Sequence, residues 1–213
     1  MVQGFQHPQV VTLQHSLVDH HLGLLRAVRT QPAEFRRHVK VLSTLLAAEA
    51  TRSLPLTPCS VTTPLEETTS GRLTTRIAVV PILRAGLGMV EPLQEMIPEA
   101  EVWHLGLYRD EETAQPVHYY DKLPEANPPE IAMIVDPMLA TGGSASLAVA
   151  AVKRWGVSRI LVLSIISTPE GIGRLVEEYP QIQIVTCAVD RGLNARKYIV
   201  PGLGDAGDRI FNT

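Results

Sequence analysis

The sequence predicts an α/β fold with a central, mainly parallel sheet flanked by helices. Three observations carry that expectation. Apolar runs recur without polar alternation at IAVVPIL (77–83), VWHLGL (102–107), IAMIV (131–135), ILVLSII (160–166) and IQIVTCAV (182–189), as strands buried on both faces require. Helical patterns at 86–96, 143–155 and 169–178 lie between them. Regular alternation of the two argues for right-handed crossovers between parallel strands.

Two helices come first. Leu17, His21, Leu24 and Val28 share one face of the first, and Phe35, Val39, Leu42 and Leu46 one face of the second. Thr30 and Pro32 mark the break between them. His20 and His21 point about 100° apart on a helix, so they read as surface or interface histidines rather than a metal pair. SVTTP reads as a short strand, and LEETTSGRLT as the loop after it. Pro81 removes a ladder donor and is expected near the carboxyl end of its strand. The segment LYRDEETAQPVHYYDKLPEANPPE breaks the rhythm, with acids, prolines and Tyr108, Tyr119 and Tyr120. It is read as a protruding β-hairpin arm over about 109–128, serving as lid or dimer clasp, against the plainer reading of a variable surface loop.

Composition narrows the function classes. The chain has 213 residues, 45% of them hydrophobic and 19% charged, with a net charge of −3. That suits one large domain or two small ones and excludes disorder. No basic run argues for nucleic acid or anionic membrane, and no apolar run approaches the ~20 residues that span a bilayer. Cys59 and Cys187 have no partner at metal-ligand spacing and read as two buried thiols in a reducing compartment. MVQGFQHPQVVTL has neither the basic start nor the apolar stretch of a signal peptide, so a cytoplasmic location is expected.

Three loops carry the chemistry, because ligands of open parallel sheets bind beyond the carboxyl ends of the strands. The strand IAMIV delivers Asp136, and Pro137, Met138, Leu139 and Ala140 lead to Thr141, Gly142, Gly143 and Ser144 at a helix start. Glycines let backbone N–H groups approach an anion, a helix N-terminus favours negative charge, and the hydroxyls add donors. No lysine stands where a Walker loop needs one, so the pattern suits a single phosphate, with Asp136 accepting from sugar hydroxyls. A plain helix cap by Thr141 or Ser144 is the competing reading. Arg84 follows the strand 77–83 and offers bidentate contact to a second anion, and Arg109 stands at the start of the arm. YIVPGLGDAGDRIFNT at the end has glycines at 202, 204 and 207. Such backbone can present N–H and C=O groups edge-on to a flat polar ring; the alternative is an ordered tail that caps the core. Uracil would match it, whereas cytosine would leave a buried donor unmatched, at about 1–3 kcal/mol.

VPILRAGLGMVEPL, LGLYRDEET, DPMLATGGSA and YIVPGLGDAGDR together resemble the uracil phosphoribosyltransferase family in order and spacing, over nearly the whole chain. The resemblance implies a type I phosphoribosyltransferase-like fold in a single domain, 1–213. It also implies a small hood from the N-terminal helices (14–52) and the C-terminal loop (190–213), and the arm over 109–128 helping dimerisation and covering the site. It implies transfer of the 5-phosphoribosyl group from 5-phosphoribosyl 1-diphosphate (PRPP) to uracil, giving UMP and pyrophosphate in pyrimidine salvage. It assigns Arg84, Arg109, the segment Asp136 to Ser144, and Asp205 to PRPP, and Ile199, Gly204, Asp205 and Ala206 to uracil. Mg²⁺ is implied through pyrophosphate and water with no direct protein ligand, as is a homodimer or higher homo-oligomer. Some members use GTP as an allosteric activator, and no residue here assigns it.

Two departures stand out. Relatives in the wider group carry two adjacent acids where this chain has Asp136-Pro137, and Arg196-Lys197 occupies a stretch where a glycine is expected before the tyrosine. A nucleotide- and RNA-binding regulator is the competing class, disfavoured by the charge of −3. A phosphoribosyltransferase for another base is the third reading.

Overall fold

The computed structural model describes residues 6–109, 116–121, 123–124 and 126–213, with backbone only for 107–109 and 116–121. Strands β1 (Val10–Thr12), β4 (Ile77–Leu83), β6 (Leu105–Arg109), β7 (Pro116–Asp121), β8 (Ile131–Val135), β10 (Arg159–Ser167) and β11 (Gln183–Val189) form one sheet in the order β1-β11-β10-β8-β4-β6-β7. The short β5 (Glu101–Val102) pairs with β4, and β9 (Met138–Leu139) with β10. Within this sheet every pairing among the described residues is parallel except β6 with β7.

The unbroken apolar runs are explained by two cores, one on each face. Ile77, Val79, Met133, Val135, Leu161, Leu163, Val185 and Cys187 point to one face, under α1 (Ser16–Arg26), α2 (Pro32–Thr51) and α3 (Leu87–Met96). Ala78, Val80, Ala132, Ile134, Ile160, Val162 and Ile184 point to the other, under α4 (Gly143–Trp155) and α5 (Pro169–Glu178). The chain leaves β4 by α3 on the first face and leaves β8 by α4 on the second. The topology therefore switches between β4 and β8, where a ligand crevice is expected beyond the strand ends.

Several elements differ from the sequence reading. The first helix buries Val18, Leu22 and Leu25, while Leu17 and Leu24 are exposed and Val28 lies beyond the helix end. The helix carries two apolar stripes, and the one that meets α2 wins. His21 sits at that contact, its Nδ1 2.9 Å from Nδ1 of His38. LEETTSGRLT is not a plain loop: β2 (Thr57–Thr62) and β3 (Glu67–Arg72) pair antiparallel, and neither buries an apolar face. VWHLGL splits into β5 and β6 around Trp103 and His104. Their gap lies beside Val80 and Pro81 of β4, by extension of the Val79–Val102 and Ile82–Leu105 pairings, so the donor that Pro81 lacks has no partner to miss there. Two further elements had no signal strong enough to predict. Strand β1 pairs with β11 at one sheet edge, and α6 (Ala206–Phe211) turns the glycine-rich terminus into a helix capped by Asp205, which accepts from the Asp208 N–H at 3.0 Å.

The arm begins as predicted, with β7 folding back on β6 as an antiparallel hairpin. Residues 110–115, 122 and 125 of the expected arm, and the side chains of Tyr108, Arg109, Tyr119 and Tyr120, lie outside the described residues.

Candidate active site

Beyond the carboxyl end of β8, and beside β10 at Ser164, lies a cavity of about 400 Å³. Asp136, Met138 to Ala145, Ser164, Lys197 to Ile199, Gly204 and Asp205 line it. The fold thus gathers two of the three loops singled out from sequence. Pro137 is buried beneath that lining, and Ala206 begins the helix that follows it.

The 136–144 loop is fixed from below. Asp136 donates its N–H to the Leu163 carbonyl at 3.2 Å, and the Pro137 carbonyl accepts from Ile165 and Ile166 at 3.1 and 3.0 Å. The first turn of α5 holds the next residues. Thr168 donates its hydroxyl to the Ala140 carbonyl at 2.6 Å and its N–H to the Leu139 carbonyl at 3.0 Å. Gly171 follows because the backbones touch: a Cβ there would sit 2.4 Å from the Ala140 oxygen. Gly142 takes φ +76°, left-handed backbone that glycine adopts without strain.

Gly142 is itself the N-cap of α4, and no side chain caps that helix. Thr141 Oγ1 lies 3.5 Å from the Gly143 N–H, at the limit of a hydrogen bond. A helix start with no capping side chain, facing a cavity and flanked by two hydroxyls, is suited to an anion. That geometry disfavours the competing reading of a plain cap by Thr141 or Ser144.

Asp136 enters the cavity beside Ser164, since β8 and β10 pair Val135 with Leu163 one residue earlier. Burial pushes the Asp136 carboxyl up to about 7, the Asp205 charge adds to the rise, and the Met138 N–H at 3.3 Å opposes it. A carboxyl poised there gains most from partners that donate to its anion, such as sugar hydroxyls. Ser164 was missed from sequence. Its Oγ is fully buried and has no hydrogen-bond partner among the described residues, yet it lines the cavity. Its only sequence signal is a hydroxyl inside the apolar run ILVLSII.

The 199–206 loop is held by buried charge. Arg26 of α1 grips Asp190 with both terminal nitrogens, at 2.8 and 2.6 Å, and donates to the Gly202 carbonyl at 2.7 Å. Asp190 is fully buried and also accepts the Gly202 N–H at 3.0 Å. From α6, Arg209 donates to the carbonyls of Leu25, Leu203 and Ala27 at 2.6 to 2.7 Å, with its guanidinium 4.3 Å from the Phe35 ring centre.

Arg84 is placed differently. It does not line the cavity; its guanidinium lies 3.3 Å from Asp208 and 5.9 Å from the Phe211 ring, on the neighbouring face of α6. The side chain is more than half exposed, so the weak ion pair leaves it movable. No group of three or more His, Cys, Asp or Glu among the described residues could hold a metal.

The family model described as uracil phosphoribosyltransferase matches residues 11–213. A protein named uracil phosphoribosyltransferase in Roseiflexus sp. (strain RS-1) is 53% identical over 205 residues, covering 96% of this chain and 99% of that one. One of the same name in Streptococcus mutans is 47% identical over 202 residues, covering 94% and 97%. Among solved structures, the AQ2163 protein from Aquifex aeolicus superposes with a TM-score of 0.90 at 36% identity, covering 95% of this chain and 97% of that one. With its sheet order, its loop motifs and its relatives in agreement over nearly its full length, this chain belongs to the uracil phosphoribosyltransferase family.

Proposed function

We propose that the chain transfers a 5-phosphoribosyl group from PRPP to uracil, forming UMP and pyrophosphate for pyrimidine salvage. The observation that carries this reading is the single cavity that joins an uncapped helix start, a carboxylate and a backbone loop rich in glycine. Residues 141–144 receive the 5′-phosphate, and Asp136, with Asp205 nearby, accepts from the ribose hydroxyls. Ile199, Gly204, Asp205 and Ala206 present backbone to the uracil edge. Arg84, once released from Asp208, and Arg109 meet the diphosphate. In the reaction the bond from the anomeric carbon to the diphosphate oxygen breaks, a bond to a uracil ring nitrogen forms, and that nitrogen releases its proton. The transition state spreads positive charge over the sugar ring, so positioning and charge stabilisation carry most of the acceleration.

Asp136 and Asp205 are the carboxylates of the cavity among the described residues, and two do not make a protein cage for Mg²⁺. They fit an ion held mainly by diphosphate oxygens and water, which would offset the leaving group's charge. The N-terminal helices and the C-terminal loop act as a hood, and the arm from 109 to 128 covers the site and excludes water. The protein works as a homo-oligomer in the cytosol. Exposed apolar side chains at Leu17, Leu24, Val28, Leu56 and Leu65 support self-association, and two free cysteines fit a reducing compartment. No described helix is long and apolar enough to cross a membrane.

The decisive assay supplies PRPP and Mg²⁺ with each free base in turn and detects nucleotide. UMP from uracil alone is the expected product. Nucleotide from another base only, or from none, would overturn the reading.

A further inference from the structure

Lys197 stands in a conformation that lysine rarely adopts, at the rim of the cavity. Its φ is +63°, in the left-handed region where a Cβ crowds the following carbonyl and glycine is the relaxed choice. The surrounding turn joins β12 (Gly192–Leu193) to β13 (Ile199–Val200). Asn194 closes it. Its Oδ1 accepts from the N–H groups of Arg196 and Tyr198 at 2.9 and 3.0 Å, and its carbonyl accepts from Lys197 at 2.8 Å. These bonds hold backbone only, so they explain why the turn is tight and not why a lysine occupies it.

Charge suggests the reason. Among the described residues, the cavity lining contains two carboxylates, Asp136 and Asp205, and Lys197 is its only Lys or Arg. The Lys197 ammonium makes no hydrogen bond or ion pair with the described residues, and Arg84 is engaged with Asp208 outside the lining. A ligand with phosphate groups adds negative charge to a lining that already holds two acids. An unpaired ammonium on a rigid turn at that rim is the complement the ligand needs. We infer that Lys197 is a phosphate-binding residue of this active site, in a turn where a glycine would serve the backbone better. The inference rests on the phosphoribosyl reading above. The phosphate it meets is either the 5′-phosphate, shared by PRPP and UMP, or the diphosphate, found on PRPP and in free pyrophosphate.

The test compares Lys197→Gly, Lys197→Met and Lys197→Arg with the parent protein. Four quantities are read: the KM values for PRPP and uracil, UMP affinity, inhibition by inorganic pyrophosphate, and Tm. Lys197→Gly and Lys197→Met should raise the KM for PRPP about tenfold or more, as loss of one charge-assisted hydrogen bond does. The KM for uracil should stay within roughly twofold in both, and Lys197→Arg should keep most of the PRPP affinity. Because glycine relaxes the turn, Lys197→Gly should have a Tm no lower than the parent. Weaker UMP binding together with the PRPP defect assigns the 5′-phosphate; weaker pyrophosphate inhibition with UMP binding unchanged assigns the diphosphate. If Lys197→Gly and Lys197→Met bind PRPP, UMP and pyrophosphate as the parent does, Lys197 is a solvated rim residue and the inference fails. Failure of the parent itself to make UMP would instead sink the reading on which this inference rests.

Discussion

Gly171→Ala tests how the phosphate loop is held, although Gly171 does not line the cavity. The added methyl carbon would sit 2.4 Å from the Ala140 oxygen and 2.9 Å from the Leu139 oxygen, and both are backbone atoms. Ordinary contact begins at 3.4 Å, so the loop and α5 must separate by up to about 1 Å. Neither side gives easily. The Leu139 and Ala140 carbonyls are bonded to Thr168, whose hydroxyl also accepts the Gly171 N–H at 3.0 Å. Overpacking of this kind costs roughly 1–3 kcal/mol of stability. A displacement near 1 Å of groups that position the reacting sugar costs on the order of a hundredfold in rate. Steady-state kinetics with each substrate varied, beside a thermal melt, reads both. The expected variant folds, melts several degrees lower, and loses kcat/KM for PRPP by tenfold to a hundredfold. A variant whose kcat/KM for PRPP stays within about threefold of the parent would refute the claim that the first turn of α5 sets the loop.

Three other outcomes follow from the same geometry. Asp136 titrates near 7 in the folded protein against 3.8 for an unperturbed carboxyl, so its contribution to stability is fully present below about pH 4 and is lost as pH rises to 7. Asp136→Asn should therefore raise the Tm at pH 8, with a stability gain bounded at about 4 kcal/mol, and leave it unchanged at pH 3.5. In the parent, kcat/KM for PRPP should climb with pH to a plateau above 7, a limb that Asp136→Asn abolishes; a flat parent profile contradicts the assignment. Arg26→Met strands the buried Asp190 and should cost about 3 kcal/mol, with a larger rise in the KM for uracil than for PRPP because Gly202 belongs to the base loop. Equal effects on both substrates would contradict that coupling. Burial raises the Cys187 thiol well above its usual range while Cys59 is partly accessible, so a thiol-reactive dye should label Cys59 alone in the native protein and both after denaturation. Labelling of both at similar rates in the native state would contradict the packing.

The sheet was legible because burial on both faces leaves an unmistakable pattern: IAVVPIL, IAMIV, ILVLSII and IQIVTCAV are all strands of the core. Exposed elements were harder. Strand β3 carries only exposed residues from Glu67 through Arg72, so hydrophobic periodicity had nothing to mark, and only pairing with β2 creates it. On α1 two apolar stripes compete, and the choice between Val18–Leu22–Leu25 and Leu17–Leu24 belongs to tertiary packing. Within the site, the small residues of 141–144 advertised a close backbone approach. Arg84 was legible as a cation at a strand end, but its rest position against Asp208 depends on α6, a helix hidden in a glycine-rich tail. Lys197 was visible only as a residue out of place, and its meaning came from its φ and from the cavity beside it.

A structure of the protein with UMP bound tests the central claim most directly. The phosphate should lie on the N–H groups at the start of α4 and the ribose against Asp136, with the pyrimidine edge along the backbone of Ile199 and Ala206, all in one cavity. UMP bound on another face, or in this cavity with its phosphate away from 141–144, would contradict it.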